Sequence, residues 1–374
     1  MSDSTKNSKM MSDPLSWWIL NILTTCFIAT AIAAFAIRAV RSSSAQQGGS
    51  AGSVCVLRLG HGLAATHPVH QSMEFMAERL KELSGGTMEL KLYPNGQLGS
   101  EDECLKQAQN AQLDFSKCSA AVLDGFVPEF QVIGAPFLFR DSDHFWAVMN
   151  GEIGQTLLEK LGDHGLIGIC YFDAGSRNLY TTEKRVRSVD DMKEIKIRTQ
   201  PSAIAMKSME ALGASPTPIS WGELYTALSQ GTVDAAENNI PSFVSGKHFE
   251  VCKYFIRTEH QRVPDVLVMS KAVWDSLTPE QQGWIRQAAR EANAYQRKKW
   301  LESEVENEEI ARKAGVEFIT VDRGPFMERS QPVYDALPPT LQAFARKIRD
   351  VGLEPEDAPE EQQKSSSPDG KEKE

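Results

Sequence analysis

Two arginines have the side-chain chemistry to hold an anion. Arg177, in GSR, and Arg198, in KIRT, each stand at the edge of a short apolar segment that reads as a strand. A guanidinium presents planar donors that match a carboxylate bidentately, and its charge does not titrate away. A pair of such groups at strand edges suits either an oriented carboxylate or a structural ion pair, and residue type alone leaves both open. Trp221 and Tyr225 follow four residues apart, a spacing that puts both on one helix face, where they could simply be core.

Other chemistries are weaker. GHGLAA (60–65) fits G-x-G-x-x-A directly after a strand, the setting of a dinucleotide fingerprint. His67 and Pro68 intervene before the helix, however, and the second strand ends in Tyr93 and Pro94 where a ribose-binding acid is needed, so no cofactor is expected. His61, His67 and His70 lie close together, but no Glu or Cys stands at a zinc-motif spacing, which favours cleft-edge or capping roles over a metal. Ser176 sits in AGSR rather than G-x-S-x-G. Enzymatic activity is not expected.

The elements that must position the arginines alternate between strand and helix. VCVLRLG (54–60) and the alternating Met88, Leu90 and Leu92 read as strands around a helix over 70–83 that Gly85 and Gly86 close. A β-α-β unit of this kind calls for parallel pairing. One helix is predicted from Phe145 to Leu161, then a strand over LIGICYF (166–172) whose continuous apolar run implies burial on both faces. IKIRT, a helix over 201–212, a helix from Trp221 to Leu228, and strands at 233–236, 254–256 and 266–270 repeat the alternation, which implies two α/β lobes. Thr278 and Pro279 then open a run to Ala314 with no further proline, predicting a helix about 50 Å long that braces both lobes.

The two ends differ from this body. Residues 17–37 carry no charge, follow Lys6 and Lys9, and precede Arg38 and Arg41, so the chain is expected to be exported. Twenty-one residues exceed the usual signal core of about 7–15 and reach the roughly 20 that span a bilayer, so 1–44 reads as a signal peptide or an anchor that tethers the protein to the membrane. Residues 45–53 form a Ser/Gln/Gly linker, and the acidic tail 351–374 has too little apolar surface to offset ordering. The 374 residues have a formal charge of −10, which argues against nucleic acid as a partner. Beyond Cys26 in the apolar segment, five cysteines show no metal spacing.

Four segments in order, LYPNGQLGSEDECL (92–105), DAGSRNLYT (173–181), KIRTQPS (196–202) and ALGASPTPISWGELYTALSQGTVDAAENN (211–239), resemble the solute-binding proteins of tripartite ATP-independent periplasmic (TRAP) transporters, the DctP-like family. The resemblance runs from about Cys55 to Leu337. It implies an α/β, type II-like two-lobed binding-protein fold with two parallel or mixed sheets, crossing hinge strands and a long bracing helix. Lobe I would comprise 54–174 and 263–302, and lobe II 175–262 and 303–350.

It also implies a periplasmic protein that hands an organic acid to membrane permease subunits. Arg198 would pair with the ligand carboxylate, Arg177 would be the second arginine, Asn238 would donate to the same group, and Trp221 would place a ring against the ligand. YFDAGSR, PISWGELYTAL, AAENN and EHQRVPDVL (259–267) are most similar to members that bind hexuronates such as glucuronate and galacturonate. His61, Lys117, Glu237 and His260 could then serve the polar end of a sugar acid. Ala236 departs from the glycine common in similar sequences. Other organic acids, among them C4-dicarboxylates, aldonates, sialic acid and keto acids, and a ligand-sensing role remain the alternatives.

Overall fold

A computed structural model of the protein describes residues 54–353; the apolar segment 17–37, the linker and the tail from 354 lie outside the described residues. Among the described residues the strands are β1 (Cys55–Gly60), β2 (Met88–Tyr93), β3 (Phe115–Ser119), β4 (Leu166–Phe172), β5 (Arg177–Thr181), β6 (Lys196–Thr199), β7 (Ser215–Pro218), β8 (Ala235–Asn238), β9 (Tyr254–Gln261), β10 (Asp265–Ser270) and β11 (Glu317–Thr320). They form two sheets, ordered β2-β1-β3-β10-β4 and β11-β9-β5-β8-β6-β7. β1 pairs in parallel with β2 and β3, as the β-α-β reading requires, while β10 runs antiparallel to both β3 and β4. The second sheet is likewise mixed: β6 is parallel to β7 and β8, and β5 is antiparallel to β8 and β9. This is the two-lobed α/β architecture expected from the alternation.

The chain crosses between the sheets from β4 to β5, from β9 to β10, and again from β10 to β11 through the helix Pro279–Lys313. β9 is longer than the apolar stretch 254–256 suggests, because it continues through Thr258, His260 and Gln261, polar residues that are nevertheless buried. The apolar run from Phe145 to Leu161 makes two helices, Ser142–Asn150 and Glu152–Lys160, rather than one. Gly151 takes an extended conformation there, and a Cβ on it would lie 2.8 Å from the Ala147 carbonyl oxygen. The apolar spacing stays in phase across that break, which hides it from a periodicity reading.

The helix Pro279–Lys313 has 35 residues, with Thr278 and Gln281 completing a capping box at its start, and is about 52 Å long. It packs against the helix Pro68–Leu83 and β4 on one side and against the helix Ile240–Ser245 on the other. In its middle, Gln296 accepts from the Asp173 amide at 2.9 Å and donates to the Asp173 carbonyl at 2.8 Å, fixing the backbone where the first crossing begins. Trp300, one turn on, is fully buried. The helix Pro339–Arg349 near the C-terminal end of the described residues places Leu341, Ala345 and Ile348 in one apolar cluster with Phe130, Phe145 and Val266.

Gly175 lies inside the first crossing with φ +56°, a conformation that disfavours a side chain. A Cβ there would come within 2.8 Å of both Trp300 Nε1 and Glu304 Oε1. We predict that Gly175→Ala lowers stability by about 1–3 kcal/mol. Thermal and denaturant unfolding measure this, and an unchanged midpoint would show that the crossing relaxes freely.

Candidate ligand-binding site

A cavity opens where the two sheets face each other, at the carboxyl ends of their parallel strands. From the first sheet it is lined by Lys117 and Ser119 at the end of β3 and by Asp265 at the start of the antiparallel β10, with Glu101 from the first turn of the helix Glu101–Gln109. From the second sheet come Arg177, Arg198 and Asn238, on β5, β6 and β8, with Trp221 from the start of the helix Trp221–Ser229. Strand ends facing a crevice are the usual place for ligands in open α/β sheets.

The two arginines are in different electrostatic states. In the antiparallel β5–β8 pair Leu179 lies opposite Glu237, so Arg177 and Glu237 are diagonal neighbours on one face. Glu237 receives Arg177 Nε–H and, at 2.8 Å, Nη2–H on its other carboxylate oxygen. Arg177 Nη2 also donates to the Glu237 carbonyl at 2.8 Å, and Nη1 to Asn238 Oδ1 at 3.0 Å. Burial opposes the charge on Glu237, yet the Arg177 guanidinium and His260 outweigh it and lower its pKa to about 2. Arg177 is therefore a buried cation already neutralised.

Among the described residues Arg198 has no such partner. It is 2% exposed, and of its five N–H protons only Nε–H is hydrogen-bonded among the described residues, to the Ile219 carbonyl at 2.8 Å, which leaves four. Its Nη1 is fully buried without a partner. Burial lowers its pKa, a sign that the positive charge is held at a cost. An uncompensated buried charge of this kind is stabilised by an anion arriving in its plane. Asn238, whose Oδ1 is committed to Arg177 and the Asn239 amide, makes no hydrogen bond through its Nδ2 among the described residues.

The opposite wall carries a trio. Lys117 Nζ donates to Glu101 Oε1 at 2.8 Å and to Asp265 Oδ1 at 3.0 Å. Burial disfavours the ammonium, but Asp265 and Glu101 outweigh it and raise its pKa. Asp265 is pushed above the usual carboxylate range, first by burial and then by Glu101, with Lys117 pulling against both.

A model of the family "Bacterial extracellular solute-binding protein, family 7" (DctP) matches residues 59–339. The chain belongs to this family. It is thus a TRAP solute-binding protein, and that family is one of binding proteins rather than enzymes. A solved TRAP solute-binding protein from a Bradyrhizobium species, in complex with D-galacturonate, is similar at 40% identity and a TM-score of 0.76, covering 79% of this chain and 99% of that one. One from Pseudomonas putida F1 with bound D-glucuronate is 36% identical with a TM-score of 0.77, over 80% and 98% of the two chains. The 2,3-diketo-L-gulonate-binding periplasmic protein YiaO of Escherichia coli is 32% identical over 73% of this chain and 83% of its own length.

Within this TRAP protein the expected site residues divide into two groups. Arg177, Arg198, Asn238, Trp221 and Lys117 line the cavity together. His61, Glu237 and His260 do not line it. Glu237 lies behind Arg177, and His260 is fully buried, with Nδ1 2.8 Å from Thr258 Oγ1. His61 joins His70 at 3.0 Å between Nε2 and Nδ1 and accepts the Leu63 amide at 3.2 Å. His67 caps the helix Pro68–Leu83 and meets Ser242 Oγ, from the other lobe, at 3.2 Å. Sequence reasoning missed Glu101, Asp265 and His248. His248 packs edge-on to Trp221 and meets the Tyr180 hydroxyl at 2.9 Å; no motif marks it, since only the fold brings it to that ring.

Glu237→Gln removes the compensation from Arg177 and is expected to destabilise the protein by about 3–5 kcal/mol in denaturant unfolding; a loss below about 1 kcal/mol would contradict the buried ion pair. Burial lowers the pKa of His61 to about 2 and of His67 and His248 to about 3. These side chains stay neutral in the folded protein while the unfolded chain takes up protons below about pH 6.5, so stability is full above that pH and declines as pH falls. Unfolding free energies at pH 7 and pH 5 should differ in that sense, and His67→Asn should flatten the slope.

Proposed function

We propose that this protein captures a hexuronate, such as D-galacturonate or D-glucuronate, by its carboxylate in the periplasm and delivers it to the membrane permease of a TRAP transporter. The observation that carries the reading is the buried Arg198 with four unassigned N–H protons on the cavity wall. A carboxylate in the guanidinium plane would satisfy Nη1, with the Asn238 amide and the remaining Arg177 Nη1 proton as further donors. Trp221 would cover a face of the sugar ring, and the Lys117, Glu101 and Asp265 wall would meet its hydroxyls. The hexuronates bound by similar solved proteins support the same ligand class. Contacts from both lobes to one ligand would favour the closed arrangement over an open one.

Another sugar-derived acid is the second reading, because a similar protein is a 2,3-diketo-L-gulonate-binding protein. A thermal-shift panel of uronates, aldonates, keto acids and C4-dicarboxylates separates the two: the largest stabilisation is expected from a hexuronate, and none from any organic acid would end both readings. Arg198→Ala is expected to weaken binding by at least about 2 kcal/mol in calorimetry. Unchanged affinity in that variant would mean that the carboxylate is held elsewhere.

A further inference from the structure

The cavity is electrically polarised. At the second-sheet end Arg177 and Glu237 cancel, so Arg198 leaves one positive charge. On the first-sheet wall one ammonium, Lys117, faces two carboxylates, Glu101 and Asp265, which leaves one negative charge (1 − 2 = −1), while Asp102, also on the cavity lining, is paired with Lys106 at 3.1 Å. The wall is built rather than incidental. Glu101 Oε2 accepts the Ser119 amide at 3.1 Å, Lys117 is 1% exposed, and Asp265 is pinned in the sheet between β3 and β4. Asp265 Oδ2 has no hydrogen-bond partner among the described residues, and only two of the three Lys117 N–H protons are engaged.

We propose that Asp265 and Glu101, balanced on Lys117, form a selectivity wall that accepts the hydroxyl groups of a monocarboxylic acid and rejects a second carboxylate at that end of the ligand. The inference rests on the hexuronate reading and names what that reading leaves out, the basis for excluding dicarboxylic acids. A hydroxyl can donate to Asp265 Oδ2 and accept from the free Lys117 proton, whereas a carboxylate has no proton to donate there. It would add a third negative charge to a wall with a single cation, and like charges brought together in a desolvated site exclude the wrong partner.

The test is calorimetry with galacturonate and with galactarate, which carries a carboxylate at both ends, on the wild type, Asp265→Asn and Glu101→Gln. The wild type is expected to prefer galacturonate by at least about tenfold, and one or both variants to reduce that preference by at least about tenfold. Melting temperatures identify a variant that has lost its fold, and the other then decides. Equal affinity of the wild type for the two acids, or an unchanged preference in every folded variant, overturns the wall. Should neither galacturonate nor glucuronate bind, the hexuronate reading fails. The wall is then judged separately by the same ratio between galactonate and galactarate, which differ only in the distal group.

Discussion

The ion pair between Arg177 and Glu237 allows a second arginine to stand nearby without a counter-charge. Two uncompensated guanidinium groups in one buried site would repel each other and face a desolvation cost that few small domains could absorb. Glu237 neutralises one of them, its carboxylate accepting two hydrogen bonds from Arg177 and its carbonyl a third. Asn238 and the Asn239 amide then fix the orientation of the pair. Arg198 is left as the one cation on this wall whose charge is unspent, and the site's demand for an anion follows from that asymmetry.

The rest of the fold keeps the asymmetry in place. Arg177 and Asn238 sit on neighbouring antiparallel strands, and Arg198 lies on β6, in register with Ala236 of β8. Ala236 in turn faces Tyr180, so its methyl group is buried between the row of Tyr180 and that of Arg198. The crossing that leads into Arg177 is held by Gln296 and packed under Trp300, both on the long helix. A helix that contacts elements of both lobes thus fixes the backbone from which the paired arginine projects. Opposite, the trio around Lys117 depends on the antiparallel entry of β10 between β3 and β4, which brings Asp265 beside residues nearly 150 positions earlier.

Much of this was legible in the chain. The β-α-β start, the parallel pairing of β1 and β2, the long capped helix and the arginine positions all follow from local periodicity, capping residues and residue chemistry. The break at Gly151 was not, because the apolar phase continues through it. The full length of β9 was hidden for a different reason: its polar residues are buried by the crossing, and period-two patterning cannot show that. At the site, Glu237 and His260 read as ligand partners by type, but the sheet register places Glu237 behind Arg177 and His260 away from the cavity wall.

By itself the sequence determined the alternating α/β lobes and the presence of two arginines suited to a carboxylate, since these depend on interactions within a few residues. Only the tertiary structure decided which arginine is charge-compensated and which is not, and that Glu101, Lys117 and Asp265 form one wall. Both depend on strand order and register across long sequence separations. The charge state of a buried group is set by the neighbours the fold supplies, and no local pattern names them.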